Sequence, residues 1–191
     1  MIVCGMDEVG RGCIAGPLVA AATVLNTQCS VLNLKDSKKL TSKQRERIYQ
    51  QLLKSQIIFA VEFISVEEIN QFGIGWANKE VFKRLSAKIA ADVYIADGNL
   101  KIEGVTSVVK ADSKIPEVMA ASIIAKVTRD KYMSNLHNRW VKYCWHRNKG
   151  YGTALHLSAL RRCGPCKHHR KLFVRKVLKS NYTSPQPLSY A

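Results

Sequence analysis

The sequence predicts an α/β domain: a mixed sheet of five short strands flanked by helices, ending in a basic helical region. Three observations carry that prediction. Two apolar, β-branched-rich runs come first, and later runs of the same kind alternate with helical patterns. A chain of 191 residues with 47% apolar side chains is long and apolar enough for one core of ordinary size. The charge is also segregated. Residues 1–125 hold 15 basic and 13 acidic side chains, whereas residues 126–179 hold 15 basic side chains and a single acid, Asp130.

The elements follow in order. Ile2–Met6 and Leu18–Leu25 read as strands, separated by Gly10-Arg11-Gly12 and Gly16-Pro17 in a tight connection. Thr41 caps a polar helix over Lys43–Lys54, and Gln56–Ser65 returns as a strand. Ser65-Val66-Glu67-Glu68 opens a short helix in the same manner, and Trp76–Ala90 carries Trp76, Val81, Leu85 and Ile89 near helical spacing. Val93–Ala96 and Ser107–Val109 are two more strands. Val118–Trp145 reads as one long helix, small-residue-rich at first and basic later, and Ala154–Arg162 as another. Residues 1–180 are expected to form a single domain and Asn181–Ala191, with two prolines, a loose tail.

Composition excludes several classes. Lys and Arg number 30 against 14 Asp and Glu, a net charge of +16, which calls for a polyanionic partner. The longest apolar stretch, Cys13–Leu25, is shorter than the ~20 residues of a membrane span. Asp7 and Glu8 interrupt any secretory leader, and six scattered cysteines form no disulfide pattern. A reduced, cytoplasmic protein that does not enter membranes is the expectation, with monomer as the default state.

The acids of the balanced N-terminal region carry the chemistry. Asp7 and Glu8 follow the first strand, Asp97 follows the fourth and Asp112 the fifth. Ligand sites of α/β sheets form beyond strand ends, so four carboxylates there can converge. Such a patch repels itself unless cations neutralise it, and hard divalent ions with oxygen ligands do so. Two such ions ~3.5–4 Å apart clamp the attacking and leaving oxygens of a phosphodiester. Singly, each acid is as well explained by solvating or capping a turn; the conjunction, beside a basic flank, is what favours a site. Gly10-Arg11-Gly12 would let a backbone approach a ligand closely, although Gly-x-Gly alone most often marks a turn.

These residues fall in blocks. Gly5-Met6-Asp7-Glu8-Val9-Gly10-Arg11-Gly12, Ala15-Gly16-Pro17, Asp36-Ser37-Lys38-Lys39-Leu40, Ala96-Asp97-Gly98-Asn99 and Lys110-Ala111-Asp112-Ser113 come in that order. Ala120 to Asp130 and Lys149-Gly150-Tyr151-Gly152-Thr153 with His156 complete the series. Together they resemble the type 2 ribonuclease H family (ribonuclease HII) over nearly the whole chain. That resemblance implies a ribonuclease H-like fold and an endonuclease that cuts the RNA strand of RNA:DNA hybrids. It also implies cutting on the 5′ side of ribonucleotides embedded in duplex DNA, leaving 3′-hydroxyl and 5′-phosphate. Two Mn²⁺ or Mg²⁺ ions would sit on Asp7, Glu8, Asp97 and Asp112. Gly10, Arg11 and Gly12 would contact the ribose 2′-OH, the group that distinguishes RNA from DNA. Tyr151 would stack on the deoxyribose after the ribonucleotide, and Lys39, Lys126 and Lys149 would complete the substrate-binding set. Cys13 stands where the family pattern has proline, Gln71–Trp76 departs from it, and the added N-terminal domain of the sister type is not expected.

Fourteen basic residues of the C-terminal third, Arg129 and Arg170 among them, are expected to face the duplex backbone or solvent. Two other motifs invite different readings. Cys163-Gly164-Pro165-Cys166 has the spacing of a redox pair, but a basic helix precedes it and no helix-forming run follows. Cys144, His146, Cys163, Cys166, His168 and His169 offer zinc-ligand types, with only one close pair among them. A non-catalytic nucleic-acid binder is the rival reading of the whole chain, and the four acids argue against it.

Overall fold

A computed structural model describes residues 1–26, 34 and 40–179. Lys39 and most of the Asp36–Leu40 block lie outside the described residues, as does the expected tail. Five strands form one sheet in the order β3-β2-β1-β4-β5: β1 Val3–Val9, β2 Leu18–Val24, β3 Ile58–Ile64, β4 Val93–Asp97 and β5 Thr106–Val108. The first three strands pair antiparallel; β4 and β5 join parallel. The mixed sheet matches the expected architecture.

Helix α1, Ser42–Lys54, and helix α2, Val66–Ser86, both begin in capping boxes, on Thr41–Gln44 and Ser65–Glu68. These satisfy amide groups that the first turn leaves without partners. Helix α2 is interrupted at Gly73, whose φ of 84° no helix admits. The unmatched Gln71–Trp76 segment is therefore a kink, closed by Phe72 packing on Trp76 with ring centroids 4.5 Å apart.

The central strands β1 and β2 are buried on both faces. Cys4, Met6, Leu18, Ala20 and Ala22 pack against Ile69, Val81, Phe82 and Leu85 of α2. On the opposite face, Ala21 meets α3, Pro116–His137, through Ala120, Ala121, Ile123, Ile124 and Ala125, with α1 alongside through Leu52. The run of small residues lets α3 lie close over β1 and β2.

Helix α3 ends at His137, eight residues before the expected end at Trp145. Trp140 leaves helical backbone, Val141–Tyr143 forms a 3-10 turn, and Cys144 adopts a left-handed φ of 54°. Continuing the helix would carry its aromatic side chains away from the molecule. Breaking it folds Tyr143 and Trp145 back into a second apolar cluster with Ala15, Met133 and Ala159. Short helix α4, Trp145–Asn148, then α5, Ala154–Cys163, and α6, Lys171–Lys179, complete the C-terminal region. Helix α6 corrects the expectation that no helix follows Cys166. Its apolar side, with Val174 buried against Ile14 and Leu160, was obscured by the density of lysine and arginine.

Candidate active site

The first strand runs three residues further than its apolar run suggested, so Asp7 and Glu8 lie within β1 and not after it. Pairing with Ala21 and Ala20 of β2 extends it, since those small partners leave room for carboxylates at the sheet's end. Successive residues of a strand face opposite ways. Asp7 thus turns toward α3, where Ser122 hydrogen-bonds it, and Glu8 toward the other face. The parallel register pairs Met6 with Ala96, which sets Asp97 beside Asp7 one position further on.

One Oδ1 atom of Asp97 accepts from the amides of Ala111 (2.8 Å) and Asp112 (3.5 Å). That contact draws the turn Ala111–Ser113 against the end of β4 and buries Asp112 beside it. The four predicted acids therefore come from three stretches of chain to one end of the sheet. Asp7, Glu8 and Asp97 line a cavity of about 380 Å³; Asp112 stands next to Asp97 without lining it.

Electrostatics mark the cavity. Burial, then the Glu8 and Asp97 charges, hold the Asp7 carboxyl well above the ordinary carboxylate range, against the Ser122 hydrogen bond. Burial raises Glu8 as well; Arg11 at 3.5 Å opposes the shift and Asp97 reinforces it. The donor set is oxygen only, partly desolvated and short of compensating positive charge, which fits a hard divalent cation. Among the described residues no three His, Cys, Asp or Glu side chains close around a single ion. An open carboxylate rim suits a cation that keeps waters and takes substrate oxygens.

The same cavity collects Gly10, Arg11, Gly12, Lys126 and Tyr151, with Arg45 and Ser122 added. Gly10 has φ of 98°, and a Cβ there would strike the Arg129 side chain; a Cβ on Gly12 would meet nothing within 4 Å. Gly12 is therefore open toward the space a ligand would fill. Lys126 pairs with Asp130 at 2.9 Å and stands 5.5 Å from the Tyr151 ring. Burial pushes the Tyr151 hydroxyl up to about 12, so the ring is a neutral surface at working pH. Lys149 lies in an adjoining cleft with Arg45 and Asp130, donating to Ser134.

Two expected duplex contacts are corrected. Arg129 is fully buried and donates to the carbonyls of Pro17 (3.0 Å), Lys149 (2.8 Å) and Ala15 (3.1 Å). Arg170, equally buried, donates to Gly16 (2.9 Å) and Arg11 (3.0 Å). Both are internal struts for the loops that frame the cavity. Sequence reading also missed Arg45 and Ser122. A single hydroxyl within Ala120-Ala121-Ser122-Ile123-Ile124 was the available signal, because a polar side chain on a buried helix face requires a partner.

The Cys163–Cys166 motif lacks the setting that thiol redox chemistry needs. Cys163 ends α5, and α6 opens only at Lys171, so no helix N-terminus faces the pair. Burial raises the Cys166 thiol, the opposite of activation. The cysteines and histidines of this region form no metal cluster among the described residues.

A mixed five-stranded sheet, carboxylates gathered at the ends of its central strands and a basic helical flank together define a ribonuclease H-like nucleic-acid hydrolase. Comparison with known proteins narrows the class. Residues 4–179 match the sequence model of the family described as Ribonuclease HII. The Ribonuclease HII of Wolbachia pipientis subsp. Culex pipiens (strain wPip) is 45% identical over 178 residues, covering 90% of each chain. The crystal structure of ribonuclease H2 from Pyrococcus horikoshii OT3 superposes with a TM-score of 0.78 at 25% identity, covering 94% of this chain and 98% of that one. Bst-RNase HIII in complex with Mn²⁺ shares the fold at a TM-score of 0.73 and 22% identity, covering 96% and 71%. The chain belongs to the ribonuclease HII family and is a ribonuclease H.

Proposed function

We propose that this chain hydrolyses the RNA strand of RNA:DNA hybrids and cuts duplex DNA on the 5′ side of an embedded ribonucleotide. The products are a 3′-hydroxyl and a 5′-phosphate. Endoribonuclease action on RNA:DNA hybrids is the activity of the family to which the chain belongs. The finer reading rests on one observation: Asp7, Glu8 and Asp97 share a cavity with Gly10–Gly12 and Tyr151.

Asp7, Glu8, Asp97 and Asp112 are the groups that would hold two divalent cations, Mn²⁺ or Mg²⁺. Such a pair, when bound, lowers the pKa of the attacking water and stabilises the departing 3′ oxygen. The protein's own work is positioning. Ser122 and the Glu8 amide orient the Asp7 carboxylate, and the Ala111 and Asp112 amides orient that of Asp97. The exposed backbone at Gly12 would meet the 2′-OH, with Arg11 reaching from the rim toward the phosphate. Tyr151 would pack on the following deoxyribose, flanked by Lys126 and by Arg129 at 5.7 Å. A monomer suffices, since every group named belongs to one chain.

The test is a DNA duplex carrying one ribonucleotide, incubated with and without Mn²⁺, and a map of the cut. Incision 5′ to the ribonucleotide, dependent on the cation, is expected. Cutting on the 3′ side, or a 2′,3′-cyclic phosphate product, would overturn the reading.

A further inference from the structure

Behind the cavity, two adjacent residues reach both halves of the proposed substrate-recognition surface. Arg170 donates through Nη1 to the Arg11 carbonyl and through Nε to that of Gly16, and its own amide donates to Ile14 at 2.9 Å. It therefore holds the Gly10–Gly12 loop from below. His169, beside it in sequence, reaches the Tyr151 loop through His156.

The hydrogen bonds of this histidine pair admit one proton arrangement. The Cys166 amide donates to Nδ1 of His169 at 3.0 Å, so the proton of neutral His169 sits on Nε2. The Trp145 indole donates to Nε2 of His156 at 3.0 Å, so the proton of His156 sits on Nδ1, 2.9 Å from the Tyr151 carbonyl. The two Nε2 atoms are 3.2 Å apart, one carrying the proton and the other the lone pair. His156 Nε2 shares its one lone pair between the Trp145 and His169 donors, the Cys166 thiol lies 3.3 Å from His169 Nδ1, and the proton order runs in one direction from Cys166 to Tyr151. Both rings are buried, packed against Tyr143 and Trp145, with His168 and Lys142 the nearby basic groups. Burial, reinforced by His156, holds His169 down to about 4, in keeping with a neutral pair.

We propose that His169 and Arg170 are positioning residues: one brace from the C-terminal segment sets the Tyr151 loop through His156 and the Gly10–Gly12 loop directly. Neither touches substrate. Through His169 the brace acts on Tyr151, so its loss falls on recognition of a junction more than on hydrolysis itself. The inference rests on the proposed role of Tyr151.

The test compares kcat/KM on duplex DNA carrying one ribonucleotide with kcat/KM on a uniform RNA:DNA hybrid. His169→Leu, checked for folding by circular dichroism, is expected to lower the ratio about fivefold; His169→Gln, which keeps a donor, recovers most of it; in a Tyr151→Ala background the leucine effect disappears. Imidazole ¹⁵N shifts of the wild-type protein are expected to give His156 as the Nδ1–H tautomer and His169 as the Nε2–H tautomer. Equal losses on both substrates, a loss that persists without Tyr151, or the opposite tautomers would each overturn the proposal. Where the leucine variant does not fold, the glutamine variant and the tautomers decide. A wild-type protein that cuts neither substrate would defeat the proposed activity while leaving the tautomer result standing.

Discussion

The end of the sheet and the C-terminal third use charge in opposite ways. At the sheet's end, carboxylates are held near one another with little compensation, and burial raises Asp7 and Glu8 together. In the C-terminal third, basic residues are abundant, yet two of the arginines most central to the structure are turned inward. Arg129 and Arg170 spend their donors on backbone carbonyls of loops drawn from residues 11–17 and 149. A guanidinium with five donors can satisfy several carbonyls at once, which suits it to tie loops that lack ladder hydrogen bonds. Like charges left together at the sheet's end prepare a site for a ligand; buried cations bonded to loop carbonyls in the C-terminal third make a scaffold.

Breaking the first half of this comparison has the largest expected effect. Asp7→Asn and Asp112→Asn keep side-chain volume while removing a charge, and each is expected to lower kcat by about 10³ with substrate binding retained, as measured by single-turnover cleavage and fluorescence anisotropy. Unchanged kcat in both would remove the acids from the chemistry.

The second half is sharpened by pairing a buried with an exposed arginine. Arg129→Ala leaves three carbonyls without their donor and is expected to cost about 3 kcal/mol in urea unfolding; exposed Arg139→Ala should cost less than about 0.5 kcal/mol. Equal costs would show that burial does not separate the two classes.

The smallest effect tests how many cations still face the duplex. If roughly five phosphates are neutralised, log K against log salt has a slope near −4 to −5, and Lys126→Ala should reduce its magnitude by about 0.9. A slope near zero would mean that this face does not grip nucleic acid.

The two regions were unequally legible in the sequence. The acids could be read because each lies at the end of a short apolar run, where strand-end geometry is a local consequence of pattern. Even so, Asp7 and Glu8 were placed after their strand. Small partners at Ala20 and Ala21 prolong the ladder, and such pairing is set by another stretch of chain. In the C-terminal third, net charge was plain and side-chain direction was not. Nothing local tells Arg129 from Lys126, three residues away, because burial depends on the loop at Ala15–Pro17 more than a hundred positions earlier. The end of α3 was missed for the same reason. Val118–Trp145 keeps helical composition throughout, and the break is imposed by the second cluster that Tyr143 and Trp145 join. His156 is legible only as part of a motif, and its partner His169 belongs to a segment whose cysteines and histidines point to zinc or thiol chemistry.

The central claim is that carboxylates from separate stretches meet to seat divalent cations. Mn²⁺ binding to the substrate-free protein, followed by electron paramagnetic resonance of free Mn²⁺, tests it most directly. Saturable binding that Mg²⁺ competes away, weakened at least about tenfold in Asp7→Asn, is the predicted result. Identical Mn²⁺ affinity in the wild-type protein and Asp7→Asn would contradict it.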